Sequence, residues 1–283
     1  MISAEIQTAL GRPRPIGLAW AFFERQINLW KRYWCWELVW LVYGVVNTLA
    51  ITFIAEQVGQ DGIAGRDEVN RLVMFLLIGT LVWAYLSAVL DDVSLVVGWE
   101  RWEGTIEHTL MAPVPRVIHL LGMSVFGVAH AILRTALIFA MAAPFFDINV
   151  ANADWLAAFA VIAVGSVSVV GLAILAGILP LLYPERGPQM SFMVQAVVLL
   201  VSGVYYSVDV LPGWLQAVSY LSPATYMLDG IRGALLDGQG ITEMVRILVI
   251  LLICGVILVP LSVAAFALAE KWAKITGRLK RHG

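Results

Sequence analysis

Residues 155–184 read WLAAFAVIAVGSVSVVGLAILAGILPLLYP, a run of 30 residues without a charged side chain. A helix needs roughly 20 apolar residues to cross the hydrocarbon core of a bilayer, so this stretch is long enough to span a membrane. The rest of the chain has the same character, since 60% of its 283 residues are hydrophobic and only 13% are charged. A soluble domain is nearer half apolar and a quarter charged. The composition therefore predicts an all-α integral membrane protein.

Five further stretches of spanning length are almost free of charge, and no linker-like tract rich in Pro, Gly and Ser separates them. We therefore predict one domain over residues 1–283 with six transmembrane helices. Their approximate bounds are 36–55, 72–90, 117–143, 155–183, 187–208 and 247–269.

A segment rich in aromatic and basic residues precedes the first span. Residues 16–35 mix rings such as Trp20 and Trp30 with cations such as Arg25 and Lys31. This mixture is typical of a helix that lies in the membrane interface, with its rings in the acyl boundary and its cations toward the headgroups. The alternative is an aromatic belt that only anchors the first span. We predict an N-terminal interfacial helix.

The basic residues are distributed unevenly between the two sides of such a bundle. With six spans both termini lie on one side, which carries thirteen of the 18 Lys and Arg residues, whereas the opposite loops carry four. Basic residues favour the cytoplasmic side. The distribution predicts a multi-pass protein of the cytoplasmic membrane with both termini in the cytoplasm.

The loop after the second predicted span, residues 98–116, reads GWERWEGTIEHTLMAPVPR. Apolar residues at positions 99, 102, 106 and 110 recur at helical spacing between charged ones, and prolines follow at positions 113 and 115. The pattern predicts one short amphipathic helix at the cytoplasmic surface, ended by the prolines. Such a helix suits docking into a groove on a partner protein. An ordinary solvated loop helix is the alternative.

Two motifs resemble those of ABC type-2 exporter permeases. Residues 100–116 resemble that family's E-R-E-x-G-T-L-E-x-L-x-x-(T/A)-P-V-x-R signature, with Trp102 where the family often has a charged residue. Residues 220–238, YLSPATYMLDGIRGALLDG, resemble its L-(S/N)-P-x-x-(Y/H)-x-(I/L)-(D/E)-x-(I/L)-R segment before the last span. The motifs occur in the family's order around six predicted spans, so the resemblance covers nearly the whole chain.

The resemblance implies a coupling helix in the first cytoplasmic loop, seated in a cleft of a nucleotide-binding subunit. Gly104 would allow a bend or a close approach there. The residues that would transmit the ATPase motion are Glu100, Arg101, Glu103, Gly104, Thr105 and Glu107.

The chain has no G-x-x-x-x-G-K-[ST] phosphate-binding loop, so its energy must come from elsewhere. The resemblance implies a separate ATPase subunit that binds ATP and magnesium. We therefore predict no catalytic residue, no cofactor and no metal site in this chain. The expected partners are that ATPase subunit, a second permease subunit (a homodimer) and membrane lipid, with no nucleic acid.

The segment between the fifth and last predicted spans is too apolar for an exposed loop. Ser222 and Pro223 are typical of a helix start, with a capping serine and proline at the first position. The resemblance implies a re-entrant pair of short helices, buried in protein because irregular backbone cannot face lipid. Asp229 and Arg232 lie three residues apart on one helical face and could pair.

Polar residues within or beside the spans are candidates for a transport path or gate. Arg134 falls within the third span, where a charge is functional by default, and its partner could be Asp91, Asp92 or a facing carbonyl. The other candidates in this group are Asn47, Tyr205 and Tyr206.

Two other classes of function remain alternatives. A gradient-driven transporter or channel would usually carry more acidic residues within its spans. An intramembrane hydrolase would need a motif such as H-E-x-x-H or G-x-S-x-G, and neither occurs. For an exporter, the few polar groups in the spans favour a hydrophobic or amphipathic substrate (a drug, lipid or glycolipid). A polysaccharide or lipo-oligosaccharide is the alternative.

Overall fold

The computed structural model describes residues 15–60, 65–112, 114–146, 153–183 and 185–276, with only the backbone described at 58–60, 101, 102, 107, 110 and 188. These ranges are helical throughout, apart from turns and short 3₁₀ segments. The helices in chain order are α1 Pro15–Arg32, α2 Trp34–Gln60, α3 Arg66–Glu103, α4 Ile106–Met111, α5 Arg116–Ala142, α6 Trp155–Ala176, α7 Ile178–Leu182, α8 Gly187–Val201, α9 Gly213–Ser219, α10 Pro223–Leu236 and α11 Val245–Ile275.

The described residues contain five helical stretches long and apolar enough to cross a membrane. Their bounds are Trp34–Gln57, Arg66–Glu100, Arg116–Phe145, Trp155–Leu182 and Val245–Ile275. The remaining predicted span, residues 187–208, is longer than the helix observed there. Helix α8 ends at Val201 after 15 residues, and a turn follows. The structure thus confirms an all-helical membrane bundle, while a sixth crossing stays a prediction.

Helix α3 is the centre of the bundle. In its most apolar stretch 67% of the residues are buried, compared with 17% for α11. Leu86, Val89 and Leu90 are almost completely buried within the largest core cluster. The helix packs against α2, α5, α6, α8 and α10. It is also 38 residues long, or about 57 Å, which exceeds the thickness of the hydrocarbon core.

Small residues allow α6 and α11 to pack closely. A Cβ atom on Gly171 would lie 2.7 Å from Cβ of Leu258, so that position has no room for a side chain. Ser168 donates a hydrogen bond of 2.7 Å to the carbonyl of Leu251 across the same contact. Close approach through small residues and interhelical hydrogen bonds is how helices associate where the hydrophobic effect does not drive them together.

The segment before the first span forms a separate helix, as the aromatic and basic pattern predicted. Helix α1 ends at Arg32, and α2 begins at Trp34 after a single turn residue. Phe22 of α1 packs edge-on against His119 of α5 at a ring distance of 4.7 Å. The helix therefore lies along the first half of α5, and its position in the membrane interface stays a prediction.

Two short helices, α9 and α10, follow the turn after α8. Helix α10 begins at Pro223, as predicted, but the hydroxyl of Ser222 makes no capping hydrogen bond. The carbonyl of Ser222 instead accepts from the backbone N–H of Thr225 at 3.3 Å. The two helical pieces are therefore present, while their dipping into the membrane stays a prediction.

Candidate functional site

The 98–116 segment contains a helix stop at Gly104. This glycine has a φ of 75°, a left-handed conformation that disfavours residues with a Cβ atom. The N–H of Thr105 donates to the carbonyl of Glu100 at 2.9 Å, which is the six-to-one hydrogen bond of a Schellman motif. The sequence Glu103-Gly104-Thr105 thus ends α3 and turns the chain.

The prediction that one amphipathic helix carries all four apolar positions of this segment was wrong. Positions 99 and 102 belong to the last turns of α3, whereas positions 106 and 110 belong to α4. The four positions do not share one helix, because the left-handed turn at Gly104 lies between them. The predicted end is consistent with the structure, since α4 stops at Met111. Pro113 lies outside the described residues.

Helix α4 is anchored on one side and open on the other. The side chain of Ile106 is 4% exposed and belongs to the main core cluster. His108 is exposed, and Met111 is 72% exposed. Residues three apart on a helix lie on one face, so these two side chains form an outward surface held in place by Ile106.

Glu100 points into the protein rather than outward. Its carboxylate lies 2.5 Å from Nη1 of Arg25 on α1 and 3.7 Å from Nε2 of His119 on α5. Only 4% of the Glu100 side chain is exposed. This residue links the end of α3 to α1 and α5 and does not itself face a partner. Glu103, Gly104 and Thr105 are half-buried.

Arg116 connects the 98–116 segment to the last long helix. Its Nη1 donates to the carbonyl of Thr109 in α4 at 2.9 Å, and its Nε lies 2.9 Å from the carboxylate of Glu270 in α11. Glu270 also pairs with Lys274 at 2.6 Å. Both Arg116 and Glu270 are largely buried, so α4 and α11 are fastened together by one guanidinium.

Residues 18–236 match the model of the family described as ABC-2 type transporter. The chain belongs to the ABC-2 type transporter family. It is 24% identical over 212 residues to the inner membrane transport permease YadH of Escherichia coli strain K12, an alignment that covers 75% of this chain and 80% of the relative. Proteins of the same name in E. coli O157:H7 and Shigella flexneri match to the same extent. The resemblance seen in the two motifs is confirmed, and the protein is a transmembrane subunit of an ABC transporter.

The residues predicted to line a path lie at two separate places in this ABC-2 permease. Arg134 lies beside the first turns of α2, where its Nη2 donates to the carbonyl of Trp40 at 3.4 Å. Asn47 and Tyr205 interact two turns further along α2, and Tyr205 is half-buried. Tyr206 donates to the carbonyl of Leu200 at 2.6 Å. The four side chains do not converge on one site within a single subunit.

Of the predicted partners of Arg134, the facing carbonyl is confirmed as that of Trp40. Asp91 and Asp92 form no ion pair with Arg134 among the described residues. Its Nε lies 3.9 Å from the carboxylate of Glu37, which the span boundaries placed at the very start of the first crossing. Asp91 instead accepts a hydrogen bond of 2.6 Å from Gln195 of α8. Asp92 faces His130 at 2.6 Å. Sequence reasoning missed this cluster because it depends on which helices are neighbours.

The predicted pairing of Asp229 with Arg232 is absent among the ion pairs of the described residues. Arg232 donates instead to the carbonyls of Gly203 and Val204 at 2.9 and 2.6 Å, and its guanidinium lies 3.5 Å from the ring centroid of Phe75. The backbone that turns after α8 leaves carbonyls without helical partners, and the arginine satisfies them.

Three residues that contact the 98–116 segment from other helices were not predicted to do so, namely Arg25, His119 and Glu270. One signal was available, since Arg116 closes the first motif and Glu270 is a lone acid at the end of an apolar helix. The eleven-residue spacing of His119 and His130 was a second signal, because it places both on one face of α5. Within the described ranges no group of three or more His, Cys, Asp or Glu is arranged to hold a metal ion.

Proposed function

We propose that this permease is the membrane subunit of an exporter that moves a hydrophobic or amphipathic compound out across the cytoplasmic membrane, driven by ATP hydrolysis in a separate subunit. The observation that carries the proposal is the outward face of α4, with His108 and Met111 open and Ile106 buried. An anchored helix with a free face suits docking into a groove of the ATPase.

The contacts around α4 support its role as a coupling helix. A push on α4 reaches α11 through Arg116 and Glu270, and it reaches α1 and α5 through Glu100 at the end of α3. Arg101, Glu103, Gly104, Thr105 and Glu107 complete the proposed coupling set; the side chains of Arg101 and Glu107 lie outside what the structure describes.

The proposed substrate class is supported by an apolar groove of about 430 Å³ between α6, α8 and α9. Met193 and Val197 of α8 are 69% and 57% exposed there. Ser222 is the one polar residue among the nine that line the groove. The eight apolar ones are Leu172, Met193, Val194, Val197, Val198, Val201, Val218 and Leu221. A hydrated polysaccharide would find few hydrogen-bonding groups on such a surface.

The proposed arrangement in the membrane has six crossings, with α8 as the fifth, α9 and α10 as a re-entrant pair, and both termini in the cytoplasm. A second permease copy would face α8 and complete the channel, since one subunit of this size makes only half of it. The chain's relatives are named inner membrane transport permeases, which agrees with a cytoplasmic-membrane location.

The proposal is tested by purifying the permease with its ATPase subunit and measuring ATP hydrolysis in nanodiscs. Met111→Glu should reduce co-purification of the ATPase, because it places a charge on the docking face. Ile275→Glu is the matched control, since that side chain is 76% exposed on α11. Equal co-purification by both variants would remove α4 as the docking element.

The substrate class is tested separately on the intact complex. Hydrophobic and amphipathic compounds should stimulate ATP hydrolysis, and a substitution such as Val197→Asn in the groove should reduce that stimulation. Stimulation by lipid-linked glycans alone would favour the polysaccharide alternative.

A further inference from the structure

His130 of α5 lies between carboxylates from two different helices. Its Nδ1 is 2.6 Å from Oδ2 of Asp92 on α3, and its Nε2 is 3.1 Å from Oε1 of Glu37 on α2. The side chain of His130 is only 6% exposed. Arg134, one turn along α5, lies 3.9 Å from the same Glu37 oxygen.

A neutral imidazole does not suit these surroundings. It has one N–H donor and one bare nitrogen, whose lone pair would here face a carboxylate oxygen. The doubly protonated ring presents an N–H on each side. The contact with Glu37 is close but not aligned as a hydrogen bond, so its attraction is that of opposite charges.

With a neutral His130 ring, the carboxylates of the cluster outnumber its cations. Glu37 and Asp92 supply two negative charges, and Arg134 supplies one positive charge. A neutral His130 would leave a net negative charge in a largely buried place, which is costly. Protonation of Glu37 could balance the cluster instead, but Arg134 beside it favours the carboxylate.

Among the described groups, Asp91 is the other acidic side chain beside the cluster, and it interacts with Asp92 and Arg134 rather than with His130. Asp91 on α3 is held by Gln195 of α8 at 2.6 Å. Helix α1 contributes the ring of Trp30, 6.1 Å away, and the ring of Phe126 stacks on the imidazole at 5.6 Å. The rings shield the cluster from solvent and strengthen its electrostatics.

We propose that His130 is an imidazolium at neutral pH and serves as the positioning residue that clamps α2 and α3 to α5. Asp92 lies eight residues before Glu100 on the same continuous helix, so the clamp holds the helix that leads into the 98–116 segment. Loss of the charge on His130 would weaken the hold of α5 on α2 and α3, and with it the transmission of movement from that segment. This inference extends the proposed function without depending on its substrate.

The protonation state can be observed directly by nitrogen-15 NMR of histidine-labelled full-length permease in nanodiscs. The chain has four histidines, and His130→Gln assigns the signal of interest. At pH 7.5 both ring nitrogens of His130 should carry protons, whereas a free histidine, with a pKa of about 6.5, would be mostly neutral. A neutral His130 ring at that pH would overturn the proposal.

The clamp is tested by thermal unfolding of the same preparation. His130→Gln should lower the Tm by about 5 °C, because it leaves two carboxylates with a single cation. The double variant Glu37→Gln, His130→Gln removes one charge of each sign and should recover part of that loss. A double variant with a Tm below both single variants would contradict the charge pairing.

A third experiment distinguishes a role for the positive charge of His130 from a role for its ring as packing alone. His130→Lys should retain more ATP hydrolysis by the nanodisc complex than His130→Gln does, and only the complex with wild-type permease should lose activity as the pH rises above the titration seen by NMR. Equal ATP hydrolysis by the complexes of the Lys and Gln variants, with the same pH profile as wild type, would show that the charge on His130 plays no part.

Discussion

The guanidinium of Arg116 lies 2.9 Å from the carboxylate of Glu270, which joins the first residue of α5 to the end of α11. The same guanidinium donates to the carbonyl of Thr109 in the last turn of α4. Three helices therefore meet at one side chain. The side chains of the ion pair are 15% and 8% exposed, so the pair works in a medium where water screens it little.

Breaking this buried pair should destabilise the protein markedly. We expect Glu270→Gln to lower the free energy of unfolding by about 3 kcal/mol, because Arg116 and Lys274 lose their acidic partner. Chemical or thermal denaturation in detergent measures the change. Asp237→Asn is the matched control, since it breaks an exposed pair with Arg71 and should cost less than about 1 kcal/mol. Equal effects would contradict the importance of the buried pair.

Gly104→Ala should be destabilising although alanine is the better helix former. The φ of 75° at this position costs a residue with a Cβ atom about 1–2 kcal/mol. Gly17→Ala is the control, because Gly17 lies within α1 with open space around it and should gain stability by about 0.5 kcal/mol. A stabilising Gly104→Ala would mean that α3 and α4 can join into one helix.

The link between α1 and α3 should appear as an interaction energy between Arg25 and Glu100. A double-mutant cycle with Arg25→Met and Glu100→Gln should give about 1–3 kcal/mol, since the carboxylate is 4% exposed and 2.5 Å from the guanidinium. Glu24→Gln is the control on the exposed face of α1. A coupling near zero, measured by the shift in unfolding midpoint, would mean that α1 is held to the bundle by its aromatic contacts alone.

Arg232→Lys should not be a conservative change. The arginine reaches two carbonyls, of Gly203 and Val204, and covers the ring of Phe75, a geometry that a lysine cannot reproduce. We expect a loss of about 2 kcal/mol in unfolding experiments. Arg246→Lys, at an exposed position, should change stability by less than about 0.5 kcal/mol. Similar values for the two variants would show that the carbonyls of the turn need no side-chain donor.

The helices were predictable where the sequence of a single segment determines them. The uncharged runs gave α2, α3, α5, α6 and α11, and Ser222-Pro223 located the start of α10, because apolar length and proline geometry act along a single segment. The break at Gly104 was foreseen as a possible bend, but its effect on the helical face was not. The left-handed turn is one of several conformations that glycine allows, and neighbouring contacts select it.

The contacts between helices were not predictable from the sequence. Glu100 and Asp92, eight residues apart on α3, contact His119 and His130, eleven residues apart on α5. The two helices are therefore joined by two acid–histidine contacts. The spacing shows which residues share a face but not which helix lies opposite. Arg232 was misjudged for the same reason, since its acceptors lie about 30 residues away, at the end of α8.

The unbroken length of α3 has a mechanical consequence. Its backbone hydrogen bonds run without interruption from Arg66 to Glu103, and the chain is free to pivot only after the last residue, at Gly104. If α4 couples the ATPase to the permease as proposed, α3 would move as one body about the contact of Asp92 with His130, and the larger displacement would occur at its far end, where Arg71 meets Asp237.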